Sequence, residues 1–197
     1  MQVTITEETV LQMPDMPDEA FFDFCNANRD HRIERDSRGR VIIMPGTGGR
    51  TGDRNSEINF QLSGFSRRQG AGKTFDSSTM FLLPSGAMRS PDAAWVPLER
   101  LRAIPQAQRD RYVPLTPDFV IELMSPSDRL NEASEKMAEW ISNGCRLGWL
   151  IDPSTRTARI YHADGGVTLV EGPPTLLGEG PVEGFVLDCA PLWDTGW

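Results

Sequence analysis

The sequence predicts an α/β or α+β fold in which a central β-sheet is covered by helices. The patterns along the chain run strands, helix, strands, helix, strands, which is not the order of a helical bundle or a β-sandwich. With 197 residues, 39% hydrophobic and 24% charged, the chain fits one medium globular domain with a full core. We find neither an internal repeat nor a low-complexity segment. These observations predict a single domain over residues 1–197.

The first part of the chain predicts a lead-in followed by a hairpin. Residues 1–30 are the lead-in, with a helical turn around Glu19–Cys25. The segment RIERDSRGRVIIMPG then alternates as a charged strand, a turn at Ser37–Gly39 and an apolar strand at Val41–Met44. The glycine-rich stretch GTGGRTGD after it is predicted to be a loop.

An amphipathic helix is predicted over residues 54–66, because apolar residues recur at i, i+4 and i+7, namely Ile58, Leu62 and Phe65. Three strands are predicted after it: Lys73–Ser77, Thr79–Leu83 and Pro91–Val96. Residues 97–117 are polar and interrupted by prolines, so we interpret them as an insertion with a short helix around Leu98–Ala103.

The second half predicts a buried strand, a helix and a meander. The strand is Phe119–Met124, and the helix is capped by Ser127 or Asp128 and ends near Asn143, before Gly144. The meander strands are Leu147–Asp152, Thr157–Tyr161 and Val167–Val170. Residues 171–197 are rich in glycine and proline, with one more strand at Phe185–Leu187.

Composition excludes several classes of protein. The net charge of −8 argues against a protein that coats nucleic acid through bulk positive charge. No stretch reaches the roughly 18 apolar residues that cross a bilayer. Three widely spaced cysteines fit neither a disulfide framework nor a zinc site, so we expect reduced thiols in the cytoplasm. Because the chain has only two histidines, the sequence gives little support for a catalytic triad. The glycine-rich stretch lacks the Lys-Ser/Thr ending of a P-loop.

Two carboxylates stand in unusual places. Glu122 lies inside the apolar strand FVIELM, where a charge is costly unless it is paired, protonated or bound to metal. Asp92 lies at the start of the predicted strand Pro91–Val96, directly after Pro91. Either acid alone could be structural, with Glu122 satisfied by an arginine. Together, on adjacent strands, they could meet at one end of the sheet and hold Mg²⁺ through oxygen ligands.

Two further residues could complete such a site. Lys136 lies on the edge of the apolar face of the helix that follows Glu122, so its ammonium could reach back over the end of that strand. A cation there could orient water or stabilise charge on a phosphate. Glu57, on the first long helix, could add a ligand or a base, although an exposed helix glutamate is the alternative.

From about Arg32 to Trp193 the chain resembles the Uma-type restriction endonucleases, a bacterial branch of the PD-(D/E)XK superfamily. The stretches that carry the resemblance are IERDSRGRVIIMPG, TGDRNSEINFQL, SPDAAWV, PDFVIELMSPSDRLNEASEKMAEWISNGCRLGWLIDP and GEGPVEGFVLD. It implies a restriction-endonuclease-like core, that is, a mixed central sheet flanked by helices, with additional β-hairpins.

The resemblance also implies residue roles. Asp92 and Glu122 would be the two motif carboxylates, and Glu57 a helix acid often seen in the superfamily. Met124 stands where the superfamily has its lysine, and Lys136 would replace that lysine from the next helix. Two departures concern substrate positioning: Asn55 stands where many relatives have histidine, and Trp140 where many have tyrosine.

These observations predict a Mg²⁺-dependent endonuclease, with Mn²⁺ as a substitute, that acts on nucleic acid, in the first place DNA. Catalysis would rest on Asp92, Glu122, Lys136 and Glu57, with the first two as metal ligands. The resemblance and two-strand cleavage favour a cytoplasmic homodimer. Two alternatives stay open: a catalytically silent module that binds nucleic acid or a protein partner, and an inactive relative whose acids are neutralised by arginines such as Arg89.

Overall fold

The computed structural model describes residues 8–12 and 16–197, and parts of the predicted lead-in, residues 1–7 and 13–15, lie outside the described residues. The first half contains, in order, β1 (Thr9–Gln12), α1 (Asp18–Ala27), β2 (Arg32–Arg35), β3 (Arg40–Met44), α2 (Gly49–Gln69), β4 (Gly72–Asp76), β5 (Phe81–Leu82), β6 (Met88–Arg89) and β7 (Ala93–Pro97). The second half contains α3 (Leu98–Arg102), β8 (Phe119–Leu123), α4 (Leu130–Ser142), β9 (Leu147–Asp152), β10 (Thr157–His162), β11 (Val167–Glu171), β12 (Thr175–Leu177), β13 (Val186–Asp188) and α5 (Ala190–Trp193).

The strands form one mixed sheet and two antiparallel sheets. The mixed sheet has the order β11-β10-β9-β8-β7-β4, in which β8 and β9 are parallel and the other pairs antiparallel. A five-stranded sheet has the order β1-β3-β2-β6-β5, and β12 pairs with β13. The predicted α+β architecture, a mixed sheet flanked by helices with additional hairpins, is confirmed.

Helices α2 and α4 cover opposite faces of the mixed sheet. On one face, Ile58 and Leu62 of α2 pack with Phe119 and Ile121 of β8. On the other, Met137 and Trp140 of α4 pack in a cluster with Val120 of β8 and with Met124, which directly follows it. Alternate residues of β8 thus face opposite helices, and Glu122 lies on the face that α4 covers.

Two helix boundaries differ from the prediction. Helix α2 begins at Gly49, so most of the predicted loop GTGGRTGD is helical. Contacts with the C-terminal segment favour this extension: Arg54 donates to the carbonyl of Leu192 at 2.7 Å, and Arg50 to that of Trp197 at 3.1 Å. Tertiary contacts thus outweigh the low helix propensity of glycine.

Helix α4 begins at Leu130 with Arg129 at its N-cap, not with Ser127 or Asp128. Asp128 instead accepts a hydrogen bond from the backbone N–H of Ser125 at 2.7 Å and closes the turn before the helix. Its carboxylate is therefore not free to cap the first helical turn.

Most of the other predicted elements are confirmed within a few residues, including α3 in the insertion and the three strands of the meander. The structure adds three short strands that were not predicted, β1, β6 and β12. Strand β12 pairs with the predicted C-terminal strand, which is β13. Cys25, Cys145 and Cys189 are free thiols.

Candidate active site

Asp92 and Glu122 meet at one end of the mixed sheet. Strand β7 runs antiparallel to β8 with Ala93 opposite Ile121, so the residue before β7 lies beside the C-terminal end of β8. The carboxylate of Asp92 crosses to the neighbouring strand, where its Oδ2 accepts the backbone N–H of Leu123 at 2.8 Å. Both acids are buried, Asp92 with 5% and Glu122 with 7% of its surface exposed.

Lys136 reaches this sheet end from α4. Its Nζ lies 2.8 Å from Oε1 of Glu122 and donates to the carbonyl of Ser90 at 3.3 Å. Because α4 packs on the face of β8 that carries Glu122, the ammonium lies directly over the strand end. The structure therefore brings together three of the four residues named from the sequence, namely Asp92, Glu122 and Lys136.

The surroundings of Glu122 disfavour its ionised form. Its Oε1 also accepts a hydrogen bond of 2.9 Å from the indole N–H of Trp140. Burial raises the pKa of Glu122 above its usual value, Asp92 and Glu34 raise it further, and Lys136 offsets only part of this increase. An additional cation near Glu122 would therefore stabilise its ionised form.

Glu34 is a fourth charged member of the cluster, and the sequence did not predict it. Its Oε1 accepts hydrogen bonds from Nζ of Lys136 at 3.0 Å and from the backbone N–H of Ser90 at 3.2 Å. Its Oε2 accepts one from Arg89 at 3.1 Å. Burial opposes its ionisation, but Lys136 with the neighbouring arginines outweighs burial and lowers the pKa of Glu34 to about 2.

A sequence signal for Glu34 did exist. In the predicted hairpin this glutamate lies opposite Ile42, which is buried. Side chains that face each other across a β-ladder share one face of the sheet. A glutamate opposite a buried isoleucine could therefore have been identified as a buried acid, instead of being treated as part of a charged, exposed strand.

Arg32 pairs with the candidate metal ligand. Its Nη1 donates to Oδ1 of Asp92 at 3.0 Å, and its Nη2 donates to the carbonyl of Ser90 and lies 3.5 Å from Oε1 of Glu34. The arginine named as a candidate neutraliser, Arg89, has other partners: Glu34 and Glu139, at 3.1 and 2.6 Å. Asp92 is thus balanced by a different arginine from the one the sequence suggested.

The structure does not bring Glu57 to the cluster. Its Oε1 accepts a hydrogen bond from Gln61 at 2.9 Å, and the same amide donates to the carbonyl of Asp188. The α2 residues that reach Asp92 are Asn55, 3.5 Å from its Oδ1, and Asn59, which donates to its carbonyl at 2.9 Å. Glu57 lies about 200° around the helix from Asn55, whereas Asn59 is only about 40° away. The prediction that Glu57 supports the site therefore receives no support from its position.

We tested whether these residues suit a divalent metal ion. Within residues 8–12 and 16–197, no group of three or more His, Cys, Asp or Glu side chains is arranged to enclose an ion. Mg²⁺ is commonly bound by one or two carboxylates, with water and substrate oxygens completing its shell. Asp92 already binds a cationic group through Oδ1, and Glu122 is a buried acid whose ionised form a cation would stabilise. The donor set fits a two-carboxylate site.

The family and the fold were then compared with known proteins. Residues 18–190 match the model of the family described as "Uma2: Putative restriction endonuclease". A solved structure from Anabaena variabilis, described as "a putative nuclease belonging to DUF820", superposes with a TM-score of 0.69 at 19% identity, over 82% of this chain and 89% of that one. At this identity the likeness establishes the fold.

No curated protein matches the sequence. None of the described helices combines the length and the apolar composition that crossing a lipid bilayer requires. The family match covers most of the chain and includes Glu34, Asp92, Glu122 and Lys136. The chain therefore belongs to the family described as "Uma2: Putative restriction endonuclease".

Proposed function

We propose that this protein is a Mg²⁺-dependent endonuclease of the PD-(D/E)XK type that hydrolyses phosphodiester bonds in DNA. The observation that carries the proposal is the meeting of Asp92, Glu122 and Lys136 at one end of the mixed sheet. Asp92 directly precedes β7, Glu122 lies on β8 and Lys136 lies on α4. At this end of the sheet, two buried carboxylates therefore lie beside one ammonium. Family membership supports a nuclease of this general kind.

Each residue has a role in the proposed reaction. Asp92 and Glu122 would hold a divalent ion, Mg²⁺ or in its place Mn²⁺. When bound, such an ion polarises a phosphate and lowers the pKa of a water molecule. Lys136 would orient the attacking water or stabilise the charge that develops on the phosphate. Glu34 would hold Lys136 in place, because its carboxylate accepts a hydrogen bond from the ammonium at 3.0 Å.

The proposed enzyme is a cytoplasmic homodimer that binds DNA with the help of a divalent ion. Cleavage of both strands of a DNA duplex needs two sites, which favours a homodimer. Three free thiols, two of them buried, fit a reducing compartment such as the cytoplasm. With a net charge of −8, binding to DNA should depend on a divalent ion that neutralises the acid cluster.

The proposal is tested by metal-dependent cleavage of plasmid DNA. Asp92→Asn and Glu122→Gln should each lower the Mg²⁺-dependent rate by a factor on the order of 10² or more. Asp164→Asn is the matched control, because among the described residues this acid accepts a hydrogen bond only from Gly166 in the β10–β11 turn, and it should cleave at the wild-type rate. Calorimetry with Mg²⁺ and Mn²⁺ should detect binding to the wild type and not to Asp92→Asn. Wild-type cleavage by Asp92→Asn would refute the site.

One observation favours the alternative of a catalytically silent module. In the structure the two acids are already compensated, Asp92 by Arg32 and Glu122 by Lys136. A silent module would bind DNA, or a protein partner, equally well with and without divalent ions, and calorimetry would detect no metal binding to the wild type. Ca²⁺ discriminates the two functions, because it should strengthen DNA binding by the proposed enzyme and leave a silent module unchanged.

A further inference from the structure

Two buried polar atoms next to Asp92 have no hydrogen-bond partner. Nε of Arg32 and Oδ1 of Asn55 are both unsatisfied, and Trp149 Nε1 is the only other such buried side-chain atom in the described part of the chain. Both residues contact Oδ1 of Asp92 through another atom, Arg32 at 3.0 Å and Asn55 at 3.5 Å. Unsatisfied buried polar groups are rare and costly. Two of these three atoms therefore belong to residues that contact the same carboxylate oxygen.

The charges of the cluster indicate what drives the rearrangement. Four carboxylates, those of Glu34, Asp92, Glu122 and Glu139, face three cations, those of Arg32, Arg89 and Lys136. The formal charge of this set is −1, so a divalent ion added to it would leave an excess of positive charge in a buried site, which is unfavourable. Binding becomes favourable if one cation leaves the cluster and an anion, such as a phosphate, enters.

Arg32 is the cation best placed to leave. Its side chain is 27% exposed, whereas that of Arg89 is 8% exposed and lies between Glu34 and Glu139. Lys136 is 16% exposed and holds two carboxylates at once. Arg32 also occupies the oxygen of Asp92 that a metal ion would use, because the other oxygen accepts the backbone N–H of Leu123.

We propose that Arg32 is a positioning residue that alternates between two partners. Without a divalent ion it neutralises Asp92. When a divalent ion replaces Arg32 at Asp92, the guanidinium turns outward and binds a phosphate group of the nucleic acid. Two of its N–H groups can then bind two oxygens of that phosphate at once. This inference rests on the proposed function. The exchange makes metal binding and phosphate binding cooperative, because the ion displaces Arg32 from Asp92 and the phosphate binds the displaced guanidinium.

Calorimetry with Mn²⁺ in the absence of nucleic acid tests the first half of the inference. Arg32→Gln should bind Mn²⁺ about tenfold more tightly than the wild type, because the ion no longer displaces a charged hydrogen bond. Arg89→Gln removes a cation from the same cluster but not from Asp92, and its affinity should rise by less than about threefold. Unchanged or weaker binding by Arg32→Gln would overturn the proposal.

Binding of a DNA duplex in Ca²⁺ tests the second half. Arg32→Gln should bind the duplex about tenfold more weakly than the wild type, so that metal and DNA affinity change in opposite directions. A purely structural role would lower both affinities. Arg32→Lys keeps the charge but lacks the planar fork that contacts Asp92 and Ser90 through two different nitrogens, so its Mn²⁺ affinity should lie between those of the wild type and Arg32→Gln.

A labelling experiment on the wild type needs no variant. Phenylglyoxal modification of Arg32, read by peptide mass spectrometry, should accelerate when Ca²⁺ is added and slow again when DNA follows. A rate that Ca²⁺ does not change would contradict the proposal even if every variant misfolds. If the wild type binds Mn²⁺ and cleaves DNA, and Arg32→Gln has the same affinities for Mn²⁺ and for the duplex as the wild type, only the proposal for Arg32 fails. If the wild type binds no metal, the proposed function fails as well.

Discussion

The indole N–H of Trp140 donates a hydrogen bond of 2.9 Å to Oε1 of Glu122, the same oxygen that Nζ of Lys136 contacts at 2.8 Å. Trp140 stands where the resemblance expects tyrosine, whose hydroxyl is also a donor. The larger ring fills a fully buried space and still presents an N–H to the carboxylate. Trp140 thus donates to Glu122 from the position where the resemblance expects tyrosine.

We predict that Trp140→Phe lowers the free energy of unfolding more than Trp149→Phe does. Both tryptophans are fully buried, but Trp149 Nε1 has no hydrogen-bond partner among the described residues. Both variants lose similar packing, whereas only Trp140→Phe breaks a hydrogen bond to a charged acceptor, which contributes about 1.5–3 kcal/mol. Urea unfolding followed by circular dichroism measures the difference. Equal losses would mean that the Trp140–Glu122 bond adds no stability.

Glu34 and Glu122 should change the stability of the protein with pH in opposite directions. The pKa of Glu34 falls from its ordinary value of 4.5 to about 2 on folding, so its contribution is present above pH 4.5 and lost as the pH falls towards 2. The stability of the wild type relative to Glu34→Gln should therefore shrink over this window, by an amount on the order of 3 kcal/mol. Urea unfolding at a series of pH values measures it.

Glu122 should show the opposite slope. Its pKa is raised on folding, so the folded state binds the proton more tightly and is favoured at low pH. The wild type should lose stability relative to Glu122→Gln as the pH rises from 4.5 through the raised pKa of the folded state. The same urea series without divalent ions measures this difference. Slopes of the same sign for Glu34→Gln and Glu122→Gln would contradict the charge arrangement described here.

Lys136→Ala should lower the cleavage rate by a factor on the order of 10² or more, because one positioned electrostatic or proton-transfer group is lost. Lys136→Arg should rescue poorly, since a planar fork cannot replace a compact ammonium between two carboxylates. Because Lys136 also compensates Glu34 and Glu122, its loss should destabilise the protein, and rates must be compared well below the melting temperature.

A second-site change sharpens the test of Lys136. Met124 is buried on the same strand face as Glu122, so Met124→Lys could return an ammonium to this space from β8. The double change Lys136→Ala with Met124→Lys should recover part of the lost rate in single-turnover cleavage. Wild-type cleavage by Lys136→Ala alone would show that Lys136 has no part in the reaction.

Local sequence patterns were sufficient to bring Glu122 and Lys136 together. Strand alternation over residues 119–123 and the apolar face of α4 are local patterns, with periods of two and 3.6 residues. They were enough to predict that Lys136 reaches back over the end of the strand that carries Glu122, and in the structure Nζ of Lys136 lies 2.8 Å from Oε1 of Glu122. Both depend on neighbours within one strand–helix unit, so no distant contact was needed.

Which other charged side chains join Glu122 and Lys136 depends on contacts between distant segments of the chain. Glu34 and Arg32 reach Ser90 and Asp92 because β2 pairs with β6 through Arg35 and Met88, a contact between segments more than 50 residues apart. No periodicity in either segment encodes that pairing. The orientation of α2 likewise depends on its packing against the sheet, which turns Asn55 towards Asp92 and Glu57 towards Asp188. Local patterns orient side chains within an element, whereas the balance of buried charges depends on which distant elements pack together.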